Sequence, residues 1–345
     1  MLREIGEQIL NLEMPDRVYR TEYSVVMHTE LIKKVTGAKD PTSPEAKKEF
    51  FKVWDICSNT ATGINSAYLG KFKSNMGHAE YQNNGVDKDD NVFNLFEDPE
   101  DILDFRPEIE LPRSSNSELI ERFNLQYQKQ LDNFDTATSV GTYITLMSGM
   151  IEMLGWDSLL MAAGMDLEAF GELLNRYTDW MMHVYTALAD CDVPYIKMHD
   201  DIVWTEGAFI APEWYRKYIF PNYKKLLAPI KEAGKKIIYV CDGNYNQFID
   251  DIADCGVDCF MMEPDTDMKY IAEKYGKTHS FVGNADTRIL LRGTKEDIYN
   301  EVKRCMDIGK KCPGFVMAVG NHIPPNTPID SCLYYDEFCK TLGRR

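Results

Sequence analysis

The stretch Lys236-Ile-Ile-Tyr-Val-Cys241, followed at once by Asp242-Gly243-Asn244, is a short apolar run that ends in polar residues. A run of this length, bounded by turn residues, predicts a buried strand. Five further runs of the same kind lie at 138–144, 194–199, 258–262, 279–284 and 314–319. Longer amphipathic stretches, which predict helices, lie between and after the strands at 167–189, 212–232, 245–255, 266–275, 295–311 and 328–341.

This alternation of strands and helices predicts a parallel sheet. No Gly-rich nucleotide-binding fingerprint follows an early strand, so the pattern favours a (β/α)8 TIM barrel over a doubly wound sheet. The two strands still missing from a barrel are expected within about 50–135. Thr294-Lys-Glu-Asp297 has the pattern of a capping box and predicts the start of a helix.

The chain shows no internal repeat and no linker rich in Pro, Gly or Ser, so residues 1–345 are expected to form one barrel domain with an N-terminal extension. Roughly the first 135 residues are polar and are expected to be irregular, apart from the first strands. Regular β/α units are expected over 136–345.

Charge and hydropathy exclude several classes of protein. The 345 residues include 38 Lys and Arg against 55 Asp and Glu, a net charge of −17, which repels nucleic acid and anionic lipid. No apolar run approaches the ~20 residues of a membrane helix, and the start carries Glu4 and Glu7 where a signal peptide is basic and then apolar. Nine scattered cysteines fit reduced thiols. A cytoplasmic protein that binds neither nucleic acid nor membrane is expected.

Five consecutive predicted strands end in residues suited to acid–base chemistry or metal binding, and barrel active sites lie at the carboxyl ends of the strands. These ends read His199-Asp200-Asp201, Cys241-Asp242-Gly243-Asn244, Glu263-Pro264, Asn284-Ala-Asp286 and Gly320-Asn321-His322-Ile-Pro-Pro. This convergence is a stronger signal than any one of the motifs.

Cys241, Glu263 and His322 follow three separate strands and offer a thiolate, a carboxylate and an imidazole. Such a set suits a catalytic zinc that keeps one position open, with Asp242 as the next candidate. Taken singly, a cysteine is more often a core residue, and a histidine beside Pro-Pro is more often a hydrogen-bonding loop residue.

Asp200 and Asp201 are a candidate pair for metal binding or proton transfer. Adjacent residues at a strand end point to opposite sides, so only one is expected to face the pocket, and the other to cap a helix or form an ion pair. Asp242-Gly243-Asn244 also fits an ordinary turn, and Asp286 also fits a helix cap.

Motifs along nearly the whole chain resemble the uroporphyrinogen decarboxylase superfamily, and within it the cobalamin-dependent methyltransferases. They begin with Asp16-Arg-Val-Tyr-Arg-Thr-Glu-Tyr-Ser, Lys197-Met-His-Asp-Asp-Ile-Val-Trp and Pro212-Glu-Trp-Tyr-Arg-Lys-Tyr-Ile-Phe-Pro. They continue with Cys241-Asp-Gly-Asn, Glu263-Pro, Gly283-Asn-Ala-Asp-Thr-Arg-Ile-Leu, Gly293-Thr-Lys-Glu-Asp-Ile and Gly320-Asn-His-Ile-Pro-Pro-Asn-Thr-Pro.

The resemblance implies a single barrel with an N-terminal extension, and the departures from the family patterns narrow the function. Decarboxylases carry an Arg-rich N-terminal segment, whereas the only comparable stretch here is the one that contains Arg17 and Arg20. The methyltransferases bind zinc through a His-x-Cys pair, sometimes a Glu, and a late Cys. Here Val240 and Asp242 occupy the pair and Asn321 or His322 the late position, with Glu263 in place.

Such a zinc site would have one thiolate ligand at most, so its ligands would be harder, in the hard–soft sense, than those of a thiol-activating site. It would therefore suit a substrate that binds through oxygen. The Asn321-His-Ile-Pro-Pro pattern resembles the O-demethylase type of methyltransferase, which takes a methyl group from a methoxylated aromatic and passes it to the Co(I) of a separate corrinoid protein. Zinc, or a proton from Asp200, Asp201 or Glu263, would neutralise the leaving oxygen. The residues expected to contact the substrate are Trp204, Tyr23, Tyr143, Met262, Asn244 and Asp286.

Three alternatives stay open. A metal-free decarboxylase needs clustered Arg in the barrel mouth, a methylcobalamin:thiol methyltransferase needs two thiolates at the metal, and a barrel without activity would only bind a corrinoid. A homodimer is possible, since barrels of this type are often dimers. If Cys241 binds a catalytic metal, Cys241→Ala is expected to lower activity at least ~10²-fold.

Overall fold

The computed structural model describes residues 1–74, 81–82, 85–86, 95–96 and 98–345. Seven parallel strands form one curled sheet in the order β1-β4-β5-β6-β7-β8-β9, and β2 and β3 form a separate antiparallel pair. The strands are β1 Ser58–Ile64, β2 Tyr81–Gln82, β3 Gly85–Val86, β4 Ala137–Thr142, β5 Tyr195–His199, β6 Lys236–Cys241, β7 Cys259–Met262, β8 Ser280–Ala285 and β9 Phe315–Val319.

A short N-terminal segment fills the gap between the two edges of this sheet. Arg20 N–H donates to Asp55 O (3.0 Å), and Cys57 N–H donates to Arg20 O (2.9 Å). On the other side, Thr21 N–H donates to Met317 O (3.1 Å), and Met317 N–H donates to Tyr19 O (2.9 Å). Residues 19–21 therefore join β9 to the chain that enters β1 and complete an eight-membered barrel.

The predicted barrel class is confirmed, and the six predicted strands match β4–β9 to within two residues at each end. One of the two missing strands, β1, lies within 50–135 as expected. The other expectation is wrong, because the closing segment lies at 19–21, upstream of that range. Three residues held by neighbours on both sides need no apolar run of their own, so the sequence carries no strand signal there.

Fifteen α-helices lie in the described residues, and six of them fall in the N-terminal part that was expected to be irregular. Thr294 and Asp297 form the predicted capping box: Asp297 N–H donates to Thr294 Oγ1 (3.2 Å), and Thr294 N–H donates to Asp297 Oδ2 (2.8 Å). The helices are α1 Leu2–Leu10, α2 Thr29–Thr36, α3 Pro44–Val53, α4 Pro99–Leu103, α5 Pro107–Glu110, α6 Asn116–Asn133, α7 Leu146–Leu154, α8 Trp156–Met165, α9 Leu167–Asp190, α10 Pro212–Glu232, α11 Ile249–Ala253, α12 Met268–Tyr275, α13 Thr287–Arg292, α14 Lys295–Gly309 and α15 Ile329–Leu342.

The buried residues form two apolar clusters that the strands separate. Along β6, Ile238 and Val240 belong to the cluster inside the barrel, whereas Ile237, Tyr239 and Cys241 belong to the cluster under the helices. Side chains of a strand alternate between its two faces, so each position along the strand is assigned to one cluster or the other. This alternation decides which residue at a strand end can reach the barrel mouth.

Two expectations drawn from composition can be compared with the structure. All nine cysteines are free thiols, and eight of them are buried. Within the described residues, none of the helices combines the length and apolar character that crossing a bilayer requires.

Candidate active site at the barrel mouth

A cavity of about 290 Å³ opens at the carboxyl ends of the strands. Its inner walls are largely apolar, with Val240, Met261, Val282 and Ala318 from four neighbouring strands. Its polar residues come from the N-terminal segment, β1, α6 and the ends of β5, β6 and β9; they are Thr21, Glu22, Tyr23, Ser24, Asn59, Thr60, Gln130, Lys197, His199, Asp242, Asn321 and His322. No arginine is among the lining residues that the structure describes.

The end of β5 places one histidine and one of two adjacent aspartates at this mouth. His199 Nε2 donates to Asp201 Oδ1 (3.2 Å) and lies 3.9 Å from Asp242 Oδ1. Asp242 N–H, after β6, donates to the same Asp201 oxygen (2.9 Å). The potential ligand atoms of these three residues all lie within 4.8 Å of one another. Among the His, Cys, Asp and Glu side chains that the structure describes, these three form the group whose spacing could hold a metal ion.

An amide links this group to the acid after β7. Asn321 Nδ2 donates to Glu263 Oε1 (2.7 Å) and lies 3.4 Å from Asp242 Oδ2. Gly243 N–H donates to Glu263 Oε2 (2.7 Å). Gly243 has a φ of +85°, which a side chain would strain, and its backbone passes close to Trp204. We call His199, Asp201, Asp242, Glu263 and Asn321 together the mouth cluster.

Burial and neighbouring charges shift the pKa values around the cavity. Burial, Asp201 and Glu263 raise the pKa of Asp242 to about 7, against the opposing effects of His199 and Asn321. Burial lowers the pKa of His199, but the hydrogen bond and charge of Asp201 and the charge of Asp242 outweigh it, so the net shift is upward. The mouth cluster therefore holds concentrated negative charge that a cation would relieve.

Three further cavity groups are shifted mainly by burial. The pKa of Glu22 rises to about 7, although Tyr335 and Val319 donate hydrogen bonds to its carboxylate. The pKa of Lys197 falls to about 7, and that of His322 falls to about 4. His322 is therefore a neutral imidazole at pH 7.

Asp200 points away from the cavity and has four donors. Its Oδ1 accepts from Thr145 Oγ1 (3.0 Å), Met147 N–H (2.9 Å) and Ser148 N–H (2.7 Å), and its Oδ2 accepts from Tyr223 (2.6 Å). The carboxylate thus caps the N-terminus of α7, where backbone N–H groups lack partners within the helix. Of the two adjacent aspartates, Asp201 alone joins the mouth cluster, and a proton-transfer role for Asp200 finds no support in this geometry.

Within the described residues, the group with metal-binding spacing contains none of Cys241, Glu263 and His322, the set that the sequence predicted as metal ligands, although Cys241 and His322 both line the cavity. Cys241 is buried and contributes to the cavity wall, but its side chain belongs to the helix-facing cluster, and its Sγ lies 3.2 Å from Asp242 O. His322 lines the cavity, with Nδ1 hydrogen-bonded to Ser24 Oγ (2.7 Å) and its ring against Tyr23. Glu263 reaches Asp242 through Asn321. The physical reason is the pleat, because Cys241 and Asp242 face opposite sides of the barrel wall.

The predicted substrate contacts divide into residues at the cavity and residues in the surrounding framework. Tyr23 lines the cavity and shares a hydrogen bond with the Tyr143 hydroxyl, and the Tyr143 ring lies 5.1 Å from that of His199. Trp204 is exposed outside the cavity, packed against Trp156 and Phe209. Neither Trp204 nor Tyr143 is itself among the cavity-lining residues.

Met262, Asn244 and Asp286 have framework roles. Met262 contributes to the cavity wall but belongs to the helix-facing cluster, whereas Met261 faces inward. Asn244 Oδ1 accepts from Asn246 N–H (3.1 Å) in a turn, and Asp286 Oδ1 accepts from Arg288 N–H (2.8 Å) at the start of α13. Asn244 therefore lies in an ordinary turn and Asp286 caps a helix, as the alternative interpretations of these two motifs predicted.

The donor chemistry of His199, Asp201 and Asp242 fits a divalent cation such as zinc, which takes imidazole and carboxylate ligands. A ligand set without a thiolate consists of harder donors, in the hard–soft sense, than the predicted set. Such a site selects less strictly among divalent metals. The described residues thus supply a plausible ligand set, composed differently from the predicted one.

Four cavity residues have no individual role in the sequence prediction: His199 and Asn321, which appear there within the strand-end motifs, and Lys197 and Glu22. Lys197 carried a usable signal, since a lysine in the middle of an apolar strand run is costly to bury. His199 lies two residues further along β5 and so shares its inward face. Glu22 and Asn321 come from segments without a regular pattern, and only the closed barrel brings them to the cavity.

The two N-terminal arginines that a decarboxylase reading would use are engaged elsewhere. Arg17 Nη2 donates to Asp55 Oδ1 (2.8 Å), and its guanidinium lies over the Tyr19 ring. Arg20 is buried, donates through Nε to Trp54 O (2.8 Å) and forms an ion pair with Asp336. Neither lines the cavity.

The fold and the mouth cluster define a (β/α)8 barrel whose polar site lies at the carboxyl ends of its strands. The family model described as "Uroporphyrinogen decarboxylase (URO-D)" matches residues 99–342, which is more than half of the chain. The protein belongs to the URO-D family, as the motifs predicted.

Relatives within this family carry different activities in their names. A uroporphyrinogen decarboxylase of Syntrophotalea carbinolica is 24% identical over 167 residues, covering 48% of this chain and 47% of that protein. A methylated-thiol–coenzyme M methyltransferase of Methanosarcina mazei is 26% identical over 135 residues, covering 39% of this chain and 35% of that protein. The chain thus aligns with about half or less of the length of these two relatives.

A solved structure shows the same fold over almost the whole chain. It is a methyltransferase from Methanosarcina mazei, with a TM-score of 0.64 and 18% identity, covering 99% of this chain and 98% of that chain. At this identity the similarity establishes the architecture alone.

Proposed function

We propose that this protein is a corrinoid-linked methyltransferase that takes a methyl group from an aryl methyl ether and passes it to the cobalt of a separate corrinoid protein. The observation that carries the proposal is the position of the mouth cluster. A histidine and two carboxylates with metal-binding spacing stand at the rim of a largely apolar cavity. His199, Asp201 and Asp242 would hold an activating cation at this rim, where it could bind the ether oxygen of a ring substrate in the cavity.

The cavity suits a single substituted ring. Its volume of about 290 Å³ exceeds the roughly 150 Å³ of an apolar cavity known to take up benzene. Apolar side chains of the inner strand faces would cover the ring, and polar groups stand at its edge, as in most small-molecule sites.

The decarboxylase alternative is disfavoured by charge. A porphyrinogen carries many carboxylates, which cationic side chains must hold. Among the described lining residues the cavity offers no arginine, and Arg17 and Arg20 are paired outside it. Asp242 at the rim, with Glu263 beside it, would repel such a substrate.

The thiol alternative is disfavoured by the ligand set. A metal that activates a thiol is held by soft thiolates, whereas the described metal-binding group contains none. Cys241 faces the helices. An imidazole and two carboxylates favour activation of an oxygen atom.

The residues of this chain would act in the following way. His199, Asp201 and Asp242 would hold a divalent cation, which supplies Lewis acidity to the leaving oxygen when it is bound. The corrinoid of the partner protein supplies the cobalt that accepts the methyl group. Asn321 holds Glu263 beside Asp242, and the inner strand faces exclude water from the ring, so that the ether is held in one orientation.

The proposal is tested by following methyl transfer to a Co(I) corrinoid protein in the visible spectrum, with a panel of methoxyarenes as donors. Methylation of the corrinoid that requires both the methoxyarene and a divalent metal is the expected result. Zinc content is measured on protein purified without chelator, and uroporphyrinogen is assayed in parallel.

Two results would contradict the proposal. One is carboxyl loss from the porphyrinogen at a rate above that of any methyl transfer. The other is methyl transfer from methylated thiols only. Asp242→Asn is expected to lose the metal-dependent transfer, and Asp254→Asn, which removes the same charge from an exposed position, serves as its control in each assay.

A further inference from the structure

The inner face of β5 carries a buried lysine, Lys197. Lys197 is 2% exposed and lines the cavity. Its Nζ donates to Thr62 Oγ1 (3.3 Å) and lies 4.3 Å from the centre of the Tyr143 ring. Among the described residues, no carboxylate forms an ion pair with it.

Holding an ammonium group in this way is unfavourable for folding alone. Burial of a charge costs several kcal/mol unless an opposite charge or hydrogen bonds compensate it. One hydroxyl and one aromatic face compensate only in part, since a cation–π contact supplies about 0.5–2 kcal/mol. A methionine would fill the same space without a buried amine, so the choice of lysine at this position points to a ligand.

The cavity is polarised along β5. Lys197 and His199 share the inward face of β5, two residues apart, which separates them by about 7 Å along the strand. The mouth cluster, with its carboxylates, stands at the His199 end, and Lys197 lies deeper in the barrel. An anionic group is repelled at the rim and attracted at depth, with apolar side chains between the two.

We propose that Lys197 binds a carboxylate carried by the substrate, and so selects methoxylated aromatic acids over neutral methoxyarenes. The acid end would lie deep in the barrel beside Lys197 and Thr62, and the methoxy end would face the mouth cluster and the partner protein. The choice of a methoxylated ring rests on the proposed function. The pairing of Lys197 with a carboxylate does not.

Direct binding tests this inference without any turnover. Calorimetry compares 4-methoxybenzoate with 4-methoxybenzyl alcohol, and cyclohexanecarboxylate with cyclohexylmethanol, on wild type, Lys197→Met and Lys197→Gln. Lys269→Met is the control, because it removes the same charge from an exposed pair with Glu273. Circular dichroism confirms that each variant is folded, and Lys197→Gln keeps the test decisive where Lys197→Met does not fold.

The expected result is a loss of carboxylate affinity of about 10- to 100-fold in both Lys197 variants, as for a charged hydrogen bond in a buried site. The affinity for the alcohols changes less than about threefold, and Lys269→Met binds as wild type. Equal losses for acids and alcohols, or none for either acid, would overturn the inference. Binding of both acids that depends on Lys197, without methyl transfer from any methoxyarene, would support the inference while contradicting the proposed function.

Discussion

The two faces of β5 and β6 carry chemically similar residues whose surroundings differ. On the outer face, Asp200 accepts four hydrogen bonds and Cys241 is buried under the helices. On the inner face, Lys197, His199 and Asp242 line a cavity. The outer carboxylate has its acceptor sites filled by the fold, whereas the inner groups face space that a ligand can enter. Neighbouring residues of similar chemistry thus divide into those whose partners the fold supplies and those that are open to a ligand.

The largest effect is expected on the inner face. Asp201→Asn removes one negative charge from the proposed metal site while the amide oxygen still accepts from Asp242 N–H. We expect methyl transfer to fall at least ~10²-fold, with loss of bound metal. Activity and metal content are measured beside the exposed control Asp254→Asn. Full activity of Asp201→Asn would place the site elsewhere.

The matched change on the outer face is expected to affect stability. Asp200→Ala leaves Met147 N–H, Ser148 N–H and the Tyr223 hydroxyl without their acceptor, and should lower the free energy of unfolding by about 4 kcal/mol. Asp200→Asn should cost less, because it keeps one oxygen. Urea unfolding followed by circular dichroism measures both. A stable but inactive Asp200→Ala would erase the distinction between the two faces.

The Glu22 carboxylate combines features of the two faces. It lines the cavity, like the inner residues, and it accepts a hydrogen bond from Tyr335 of α15 (2.7 Å), as Asp200 does from its own donors. Burial raises the pKa of Glu22 to about 7, against the pull of Arg20 and with a contribution from Asp336. The folded state therefore binds more protons than the unfolded state between the unfolded pKa, about 4.3, and 7. The contribution of Glu22 to stability falls as pH rises through this window.

The corresponding measurement compares unfolding of wild type and Glu22→Gln from pH 4.5 to 7.5. Stability of wild type relative to Glu22→Gln should fall by about 3 kcal/mol across the range and level off above it. Parallel pH profiles for the two proteins would mean that Glu22 ionises in the folded state as it does in water.

The smallest effect is expected at Cys241, where the geometry reverses the expectation drawn from the sequence. Its thiol faces the helices, so Cys241→Ala should change activity and metal content less than about threefold, and cost about 1 kcal/mol of stability. Metal analysis and the methyl-transfer assay are run together. A loss of metal would return Cys241 to the site and contradict the assignment of β6 side chains made here.

Part of the site was predictable from strand ends alone. Glu263, Asp242 and Asp201 are predicted because barrel chemistry gathers at the carboxyl ends of strands, and all three lie at or beside the mouth. Tyr23, predicted as a substrate contact, lines the cavity. Cys241 packs against the helices because a shift of one residue along a strand turns a side chain to the opposite face, and its role as a metal ligand stays a prediction. The pattern of an apolar run buried on both faces does not reveal which residues point inward.

The sequence by itself determined the barrel, the six regular β/α units and the family, because hydrophobic periodicity and turn residues are local signals. Only the tertiary structure decided that residues 19–21 close the barrel, that Asp200 caps α7 while Asp201 joins His199 and Asp242, and that Lys197 is buried beside Thr62 and Tyr143. These outcomes depend on contacts between segments distant along the chain. The pleat direction and the partners of each side chain are set when the barrel closes.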